Sequence, residues 1–300
     1  MPKPLSALNR VAPPLAAEVG WRLWRSLGTA ATVHERDRAV HDRAERGSLT
    51  VGGEHVVTYR WGSGPRVILL VHGWRSRASR FSALVAALEA PDRTIVAFDA
   101  PGNGDSGGSL VTVLDYADAI RQLGERHGTF EAIIGHSFGV LSTFVAVREG
   151  VATRAIVDVA GMYNADLLVD EFCAQAGIDG PAKRGMRRRI ERRTFPTVTD
   201  PWARFRSELD GMDLPLLVIH DETDPVVSVA QADLIADAHP GAVSRLSTSG
   251  LGHSRILSDP AVVATIVEFV SAGREAASPS SATAAPTRSS ASSRGTRSRS

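Results

Sequence analysis

A serine, an aspartate and a histidine stand in this chain at spacings that could build one nucleophilic site. Ser137 is the centre of G-H-S-F-G (Gly135–Gly139). Before it runs an apolar stretch, Ala132–Ile134; after it, from Val140, comes a helix-like run. A strand that turns this sharply into a helix holds its tip residue in a strained conformation and needs small neighbours two before and two after. Such a turn exposes a hydroxyl at the end of a sheet and aims main-chain N–H groups at whatever the hydroxyl attacks. A serine hydroxyl is a poor nucleophile at neutral pH. It needs a base within hydrogen-bond reach and a third group that fixes the base's tautomer. His253 lies on a glycine-flanked stretch, Ser249-Gly250-Leu251-Gly252-His253, just past an apolar run. Asp221 and Asp224 lie in D-E-T-D-P-V, just past another.

These turns need a frame, and the periodicity supplies one. Ser48–Val51 and Val56–Trp61 read as a hairpin across Gly52-Gly53. Arg66–Val71 is a continuous apolar run, the mark of a strand buried on both faces. Thr94–Phe98, the stretch before Ser137, Ala155–Val159, Leu214–His220 and Val243–Ser247 follow as strands. Between them Phe81–Leu88, Val113–His127, Val140–Glu149, Val229–Ala238 and Pro260–Ser271 read as helices. This alternation predicts an α/β fold: a mostly parallel sheet of eight strands with helices on both faces. In such a sheet, reactive groups converge at the carboxyl ends of the strands.

Three regions break the pattern. Residues 162–212 hold no buried strand-like run and are expected as a helical cap inserted after the sixth strand, a lid over one end of the sheet. They carry a basic cluster: Lys183, Arg184, Arg187, Arg188, Arg189, Arg192 and Arg193 against Glu191. The cluster is either a solvated lid surface or a patch that draws in an anionic substrate. Residues 1–47 read as a helical extension. One helix starts near Pro14 and shows Leu15, Val19, Leu23 and Leu27 on one face with Trp24. A second, exposed helix is expected over Thr32–Arg46. The extension either packs on the domain or lies on a membrane through Trp21, Trp24, Arg22 and Arg25. Residues 273–300 are rich in Ser and Arg, lack any large apolar side chain, and are expected to be disordered.

Four motifs in this order resemble those of the α/β-hydrolase fold superfamily, in its cap-bearing serine hydrolases: H-G-W (His72–Trp74), D-A-P-G-N-G-D-S (Asp99–Ser106), G-H-S-F-G, and the pair D-E-T-D-P-V with G-L-G-H. The resemblance spans about residues 48–272. It implies Ser137 as nucleophile, His253 as base and Asp224 as orienting acid. The family often has glycine where Asp221 stands, so the chain departs from the pattern there. Asp158, at the end of the preceding strand, is a second alternative acid. His72, His136 and His220 read as structural. Two main-chain donors are expected to hold an oxyanion, the N–H of Phe138 and that of Trp74.

Composition narrows the function. With 34 Lys and Arg against 33 Asp and Glu, formal net charge is +1, which gives no global pull toward nucleic acid. The one cysteine, Cys173, forms no intrachain disulfide, in keeping with a reducing compartment. No apolar run approaches the roughly 18–20 residues that span a bilayer. No signal-peptide pattern opens the chain, and a cytoplasmic location is expected. No metal or organic cofactor is called for. The G-N-G of the Asp99 turn lacks both the full glycine fingerprint of a dinucleotide fold and a phosphate-loop lysine. The expected activity is hydrolysis of a carboxylic ester or thioester of a small, partly apolar substrate. The alternatives are other chemistry on the same elbow, such as carbon–carbon or amide hydrolysis, acyl transfer or perhydrolysis, and a non-catalytic small-ligand-binding protein.

Overall fold

The computed structural model describes residues 4–26, 29–109 and 111–277, the side chains of 273–277 excepted. Three helices come first: α1 (Ser6–Val11), α2 (Pro13–Arg25) and α3 (Glu35–His41). The sheet begins with β1 (Glu45–Val51), β2 (Glu54–Gly62) and β3 (Arg66–Val71). Then α4 (Ser82–Leu88), β4 (Arg93–Phe98), α5 (Val113–His127), β5 (Ala132–His136), α6 (Phe138–Arg148) and β6 (Ile156–Val159) alternate. Three consecutive helices follow, α7 (Asp166–Ala176), α8 (Gly180–Arg193) and α9 (Pro201–Arg204), before β7 (Leu216–Asp221) resumes the sheet. The described chain closes with α10 (Ala230–Ala238), β8 (Val243–Thr248), the single turn α11 (Gly252–Arg255) and α12 (Pro260–Ala277).

The eight strands form one sheet in the order β1-β2-β4-β3-β5-β6-β7-β8. The β1–β2 and β2–β4 pairs are antiparallel, and every pair from β4 to β8 is parallel. The α/β fold class read from the alternation is the one observed. The central strands are mostly apolar because each side faces a helical layer, and polar residues such as Asp158, His220 and Asp221 lie toward the carboxyl ends. Val67, Leu69 and Val71 of β3 join the core under α5 and α6, whereas Ile68 and Leu70 join the one under α4 and α12. β4 divides in the same way, with Val96 and Phe98 on one side and Ile95 and Ala97 on the other.

Three expectations shift. β1 begins at Glu45, and the helix expected over Thr32–Arg46 covers only Glu35–His41. An edge strand needs no apolar alternation, and the charged Glu45 pairs across the hairpin with Arg60. At the other end α12 runs on to Ala277, past the boundary at 272; the rest of the Ser/Arg-rich tail lies outside the described residues. The largest correction concerns α2. Leu15 and Leu23 are 52% and 49% exposed, while Ala16, Ala17, Gly20 and Trp21 are buried. Small residues win the interface because α2 lies close against α8 and the turn leading into it: a Cβ on Gly20 would stand 2.4 Å from Ile178 Cδ1 in that turn, and one on Gly185 of α8 would stand 3.1 Å from Ala17 Cβ. Leu27 lies outside the described residues.

Candidate active site

β5 and α6 meet at Ser137, whose φ of 55° and ψ of −121° make the turn in a single residue. β-Strand geometry persists through Gly135 and His136, and the helix starts at Phe138. The glycines are needed for space. A Cβ on Gly139 would lie 2.2 Å from the Val71 carbonyl oxygen, and one on Gly135 would lie 2.8 Å from Val140 Cα. The helix behind the turn is buried from Phe138 to Val147, so the strain is held by packing.

The structure brings Ser137, His253 and Asp224 together from turns after β5, β8 and β7. The Ser137 hydroxyl lies 3.0 Å from His253 Nε2, and His253 Nδ1 lies 2.7 Å from Asp224 Oδ2. A carboxylate can only accept, so Nδ1 carries the proton and Nε2 presents its lone pair to the hydroxyl. Asp224 Oδ1 accepts from the main-chain N–H of Val226 (2.7 Å) and Val227 (3.0 Å). Burial pushes the Asp224 carboxyl up, but the bonds from His253, Val227 and Val226 outweigh it and hold the group below its ordinary value.

The alternative acids are otherwise engaged. Asp221 accepts from Thr223 N (3.0 Å) and Oγ1 (2.6 Å), from Thr248 Oγ1 (2.8 Å) and from Leu251 N (2.9 Å). Burial opposes its ionisation, yet these donors hold its carboxyl far below the ordinary range. Asp221 thereby staples the turn that carries Asp224 to the loop that carries His253. Asp158 is fully buried at the end of β6, and its Oδ1 accepts the Gly161 N–H at 2.8 Å. It makes no hydrogen bond to His253, and burial raises its carboxyl to about 7.

Three histidines support the loops. His72 Nε2 accepts the Ala100 N–H (2.9 Å), so Nδ1 carries the proton and donates to the Gly73 carbonyl (2.7 Å). Tyr116 donates to the same carbonyl at 3.1 Å, which pins the turn leading to Trp74. His136 Nε2 donates to the His253 carbonyl at 2.8 Å, and burial drives its pKa down to about 3. His220 Nε2 donates to the Val227 carbonyl at 2.9 Å behind Asp224. The N–H groups of Trp74 and Phe138 have no acceptor among the described residues. Their rings meet edge to face, with centroids 5.2 Å apart.

The D-A-P-G-N-G-D-S turn is a polar knot rather than a phosphate cradle. Asp99 is wholly buried and accepts from Ala78 N (2.7 Å), Tyr59 OH (2.8 Å) and Asp105 N (2.8 Å), with Arg77 3.4 Å away.

Ser137 and His253 open onto two spaces. One is a cavity of about 280 Å³ walled by Trp24, Trp74, Met162, Leu167, Leu168, Phe172 and Val226. The other, of about 260 Å³, is lined by His34, Arg36, Asp37, Arg75 and Arg80. Trp24 and the residues of the second space carry no local signature, because tertiary packing alone brings them beside Ser137. Trp24 stacks on Trp74 with centroids 5.8 Å apart, and Trp21 is buried with Arg25 and Arg193 over its ring. Both tryptophans face protein, which leaves the membrane-lying alternative without its aromatic anchors. Much of the basic cluster on α8 is paired as well. Arg189 and Arg193 meet Glu18, Arg187 meets Asp166, and Lys183 meets Asp170 at 2.8 Å. Among the described residues no group of His, Cys, Asp and Glu could hold a metal ion, and no helix is long and apolar enough to cross a membrane.

Residues 68–266 match the model of the alpha/beta hydrolase family. No curated protein matches the chain. Among solved structures, a protein named as a lipase (lip1) from Acinetobacter baumannii AYE superposes with a TM-score of 0.61 at 17% identity, covering 81% of this chain and 95% of that one. Alpha/beta hydrolase domain-containing protein 10 from mouse gives 0.60 at 16% identity, over 78% and 100%. The esterase RhEst1 from Rhodococcus sp. ECU1013 gives 0.56 at 19% identity, over 76% and 98%. At these identities the likeness is one of fold.

Proposed function

The chain belongs to the alpha/beta hydrolase family, and from that premise we propose that it is a serine hydrolase of carboxylic esters or thioesters. The observation that carries the reading is the hydrogen-bonded chain Ser137–His253–Asp224 at the mouth of a largely apolar cavity. The lipase and esterase names of two structural neighbours are in keeping with it.

In this reading Ser137 Oγ attacks the acyl carbonyl as His253 Nε2 takes its proton. The carbonyl oxygen becomes an oxyanion and is held by the unpaired N–H groups of Trp74 and Phe138. The imidazolium, stabilised by ionised Asp224, gives its proton to the leaving oxygen or sulfur as that bond breaks. Water then attacks the acyl-enzyme with the same base, the acid departs, and Ser137 is restored. Leu167, Leu168 and Phe172 come from α7, so the inserted helices 162–212 roof the acyl pocket and act as a lid.

A fluorophosphonate should label the wild-type protein and neither Ser137→Ala nor His253→Ala. Short 4-nitrophenyl esters should be turned over by the wild type alone, with losses of about 10³-fold or more in the variants. Labelling that survives in Ser137→Ala would overturn the nucleophile. A wild type that neither labels nor turns over esters would favour a binding protein.

A further inference from the structure

Two cavities share the Ser137–His253 pair, and they differ in chemistry. The one under α7 is mostly aromatic and aliphatic. The other lies across the Gly73–Arg75 turn, where three guanidinium groups, Arg36, Arg75 and Arg80, face a single carboxylate, Asp37. That carboxylate is shared: Arg36 stands 3.7 Å from it and Arg80 3.9 Å, with His34 also at 3.9 Å. Arg75 has no carboxylate within ion-pair distance among the described residues. Its guanidinium donates to the Ser26 carbonyl. Its backbone adopts φ 54°, an uncommon conformation for a side-chain-bearing residue. It directly follows Trp74, one of the two residues with unpaired N–H groups, and it borders both cavities.

A carbonyl attacked by Ser137 has two substituents that must diverge, and each cavity can take one. The apolar cavity suits the acyl chain. The cationic cavity then receives the leaving group, whose surplus of positive surroundings is unmatched by protein acid. We infer that the leaving group carries an anionic substituent, a phosphate or carboxylate, bound by Arg75 and Arg80. This rests on the serine hydrolase reading above. It also relocates the pull on anions: four of the seven cations of the α8 cluster are paired with Glu18, Asp166 and Asp170, whereas Arg75 stands beside the nucleophile.

The test compares butyrate esters of 4-nitrophenol and of 5-hydroxy-2-nitrobenzoate, which differ by one carboxylate on the leaving group. Rates are normalised to alkaline hydrolysis of each ester. Wild-type protein should favour the anionic ester in kcat/KM by about tenfold or more at low ionic strength, and the preference should shrink with salt. In Arg75→Asn, a residue that tolerates the positive φ, and in Arg80→Gln the ratio should fall toward one; Arg75→Lys should keep part of it. A ratio at or below one in the wild type, or a ratio retained in both variants, overturns the inference. Binding of inorganic phosphate, read by calorimetry, separates the two claims. Phosphate that binds the wild type and binds Arg75→Asn far more weakly, in a protein that neither labels nor turns over esters, leaves the anion site standing and removes the hydrolase reading. Labelling and turnover of the neutral ester, with no phosphate binding and no preference, does the reverse.

Discussion

Of the carboxylates near the site, Asp158 is the one whose charge the fold resists. It is wholly buried, its Oδ1 accepts one N–H from Gly161, and its Oδ2 has no hydrogen-bond partner among the described residues. Burial lifts its pKa from an ordinary 3.8 to about 7. The folded protein therefore keeps a proton that the unfolded chain releases above 3.8, so the unfolded state binds fewer protons and stability falls as pH rises from 3.8 toward 7. The cost at and above pH 7 is up to about 4 kcal/mol. Asn copies the protonated acid in shape and charge. Asp158→Asn should therefore melt several degrees higher than wild type at pH 8 and at nearly the same temperature at pH 4.5. Equal melting temperatures at pH 8 would show that the fold does not raise the Asp158 pKa. This property was not legible in the sequence, where Asp158 was one of three acids at strand ends. Ser137, Asp224 and His253 were, because each lies in a turn directly after a strand with small or loop-forming neighbours. Asp221 shows the limit. Its residue type fitted the acid's role, and only the four donors around it reveal a staple.

Among the elements, α2 carries the most that local pattern missed. Its i, i+4 leucines suggested an apolar face, yet the helix turns Ala17 and Gly20 inward because only small residues let it approach α8. That choice rotates Trp24 onto Trp74 and into the wall of the apolar cavity. Helix periodicity identifies a face but not a partner, and the partner here lies over 150 residues along the chain. The strands were easier to read, since double-sided burial gives them mostly apolar runs whatever their neighbours are. Trp24→Ala should remove one wall of the apolar cavity and leave the hydrogen-bonded Ser137–His253–Asp224 chain in place. KM for medium-chain 4-nitrophenyl esters should rise about tenfold with little change in kcat if the proposed hydrolase seats its acyl chain against Trp24, since that contact would be lost in ground and transition states alike. Fluorophosphonate labelling should persist. An unchanged KM across a chain-length series would remove Trp24 from the pocket.

Across the whole molecule, the buried histidines couple folding to acid. His41, His72, His136 and His220 are each pushed below the ordinary 6.5, chiefly by burial, and His136 falls to about 3. They lie in α3, beyond β3, at the end of β5 and in β7, so the effect is spread over both sides of the sheet centre. Below 6.5 the unfolded chain takes up protons that the folded protein refuses. The unfolded state then binds more, and stability falls as the pH drops. For His136 alone this amounts to about 1.4 kcal/mol at pH 5.5, and the other three act in the same direction. Asp158 works against them over the same range, because acid relieves its penalty. The two effects separate in Asp158→Asn, which keeps the histidines and loses the opposing acid. In that variant the melting temperature should decline steadily from pH 7 to pH 5, and more steeply than in wild type. A melting temperature that stays flat or rises over that interval would mean the histidines are charged in the folded protein, which for His72 is contrary to the acceptor role of its Nε2 toward the Ala100 N–H.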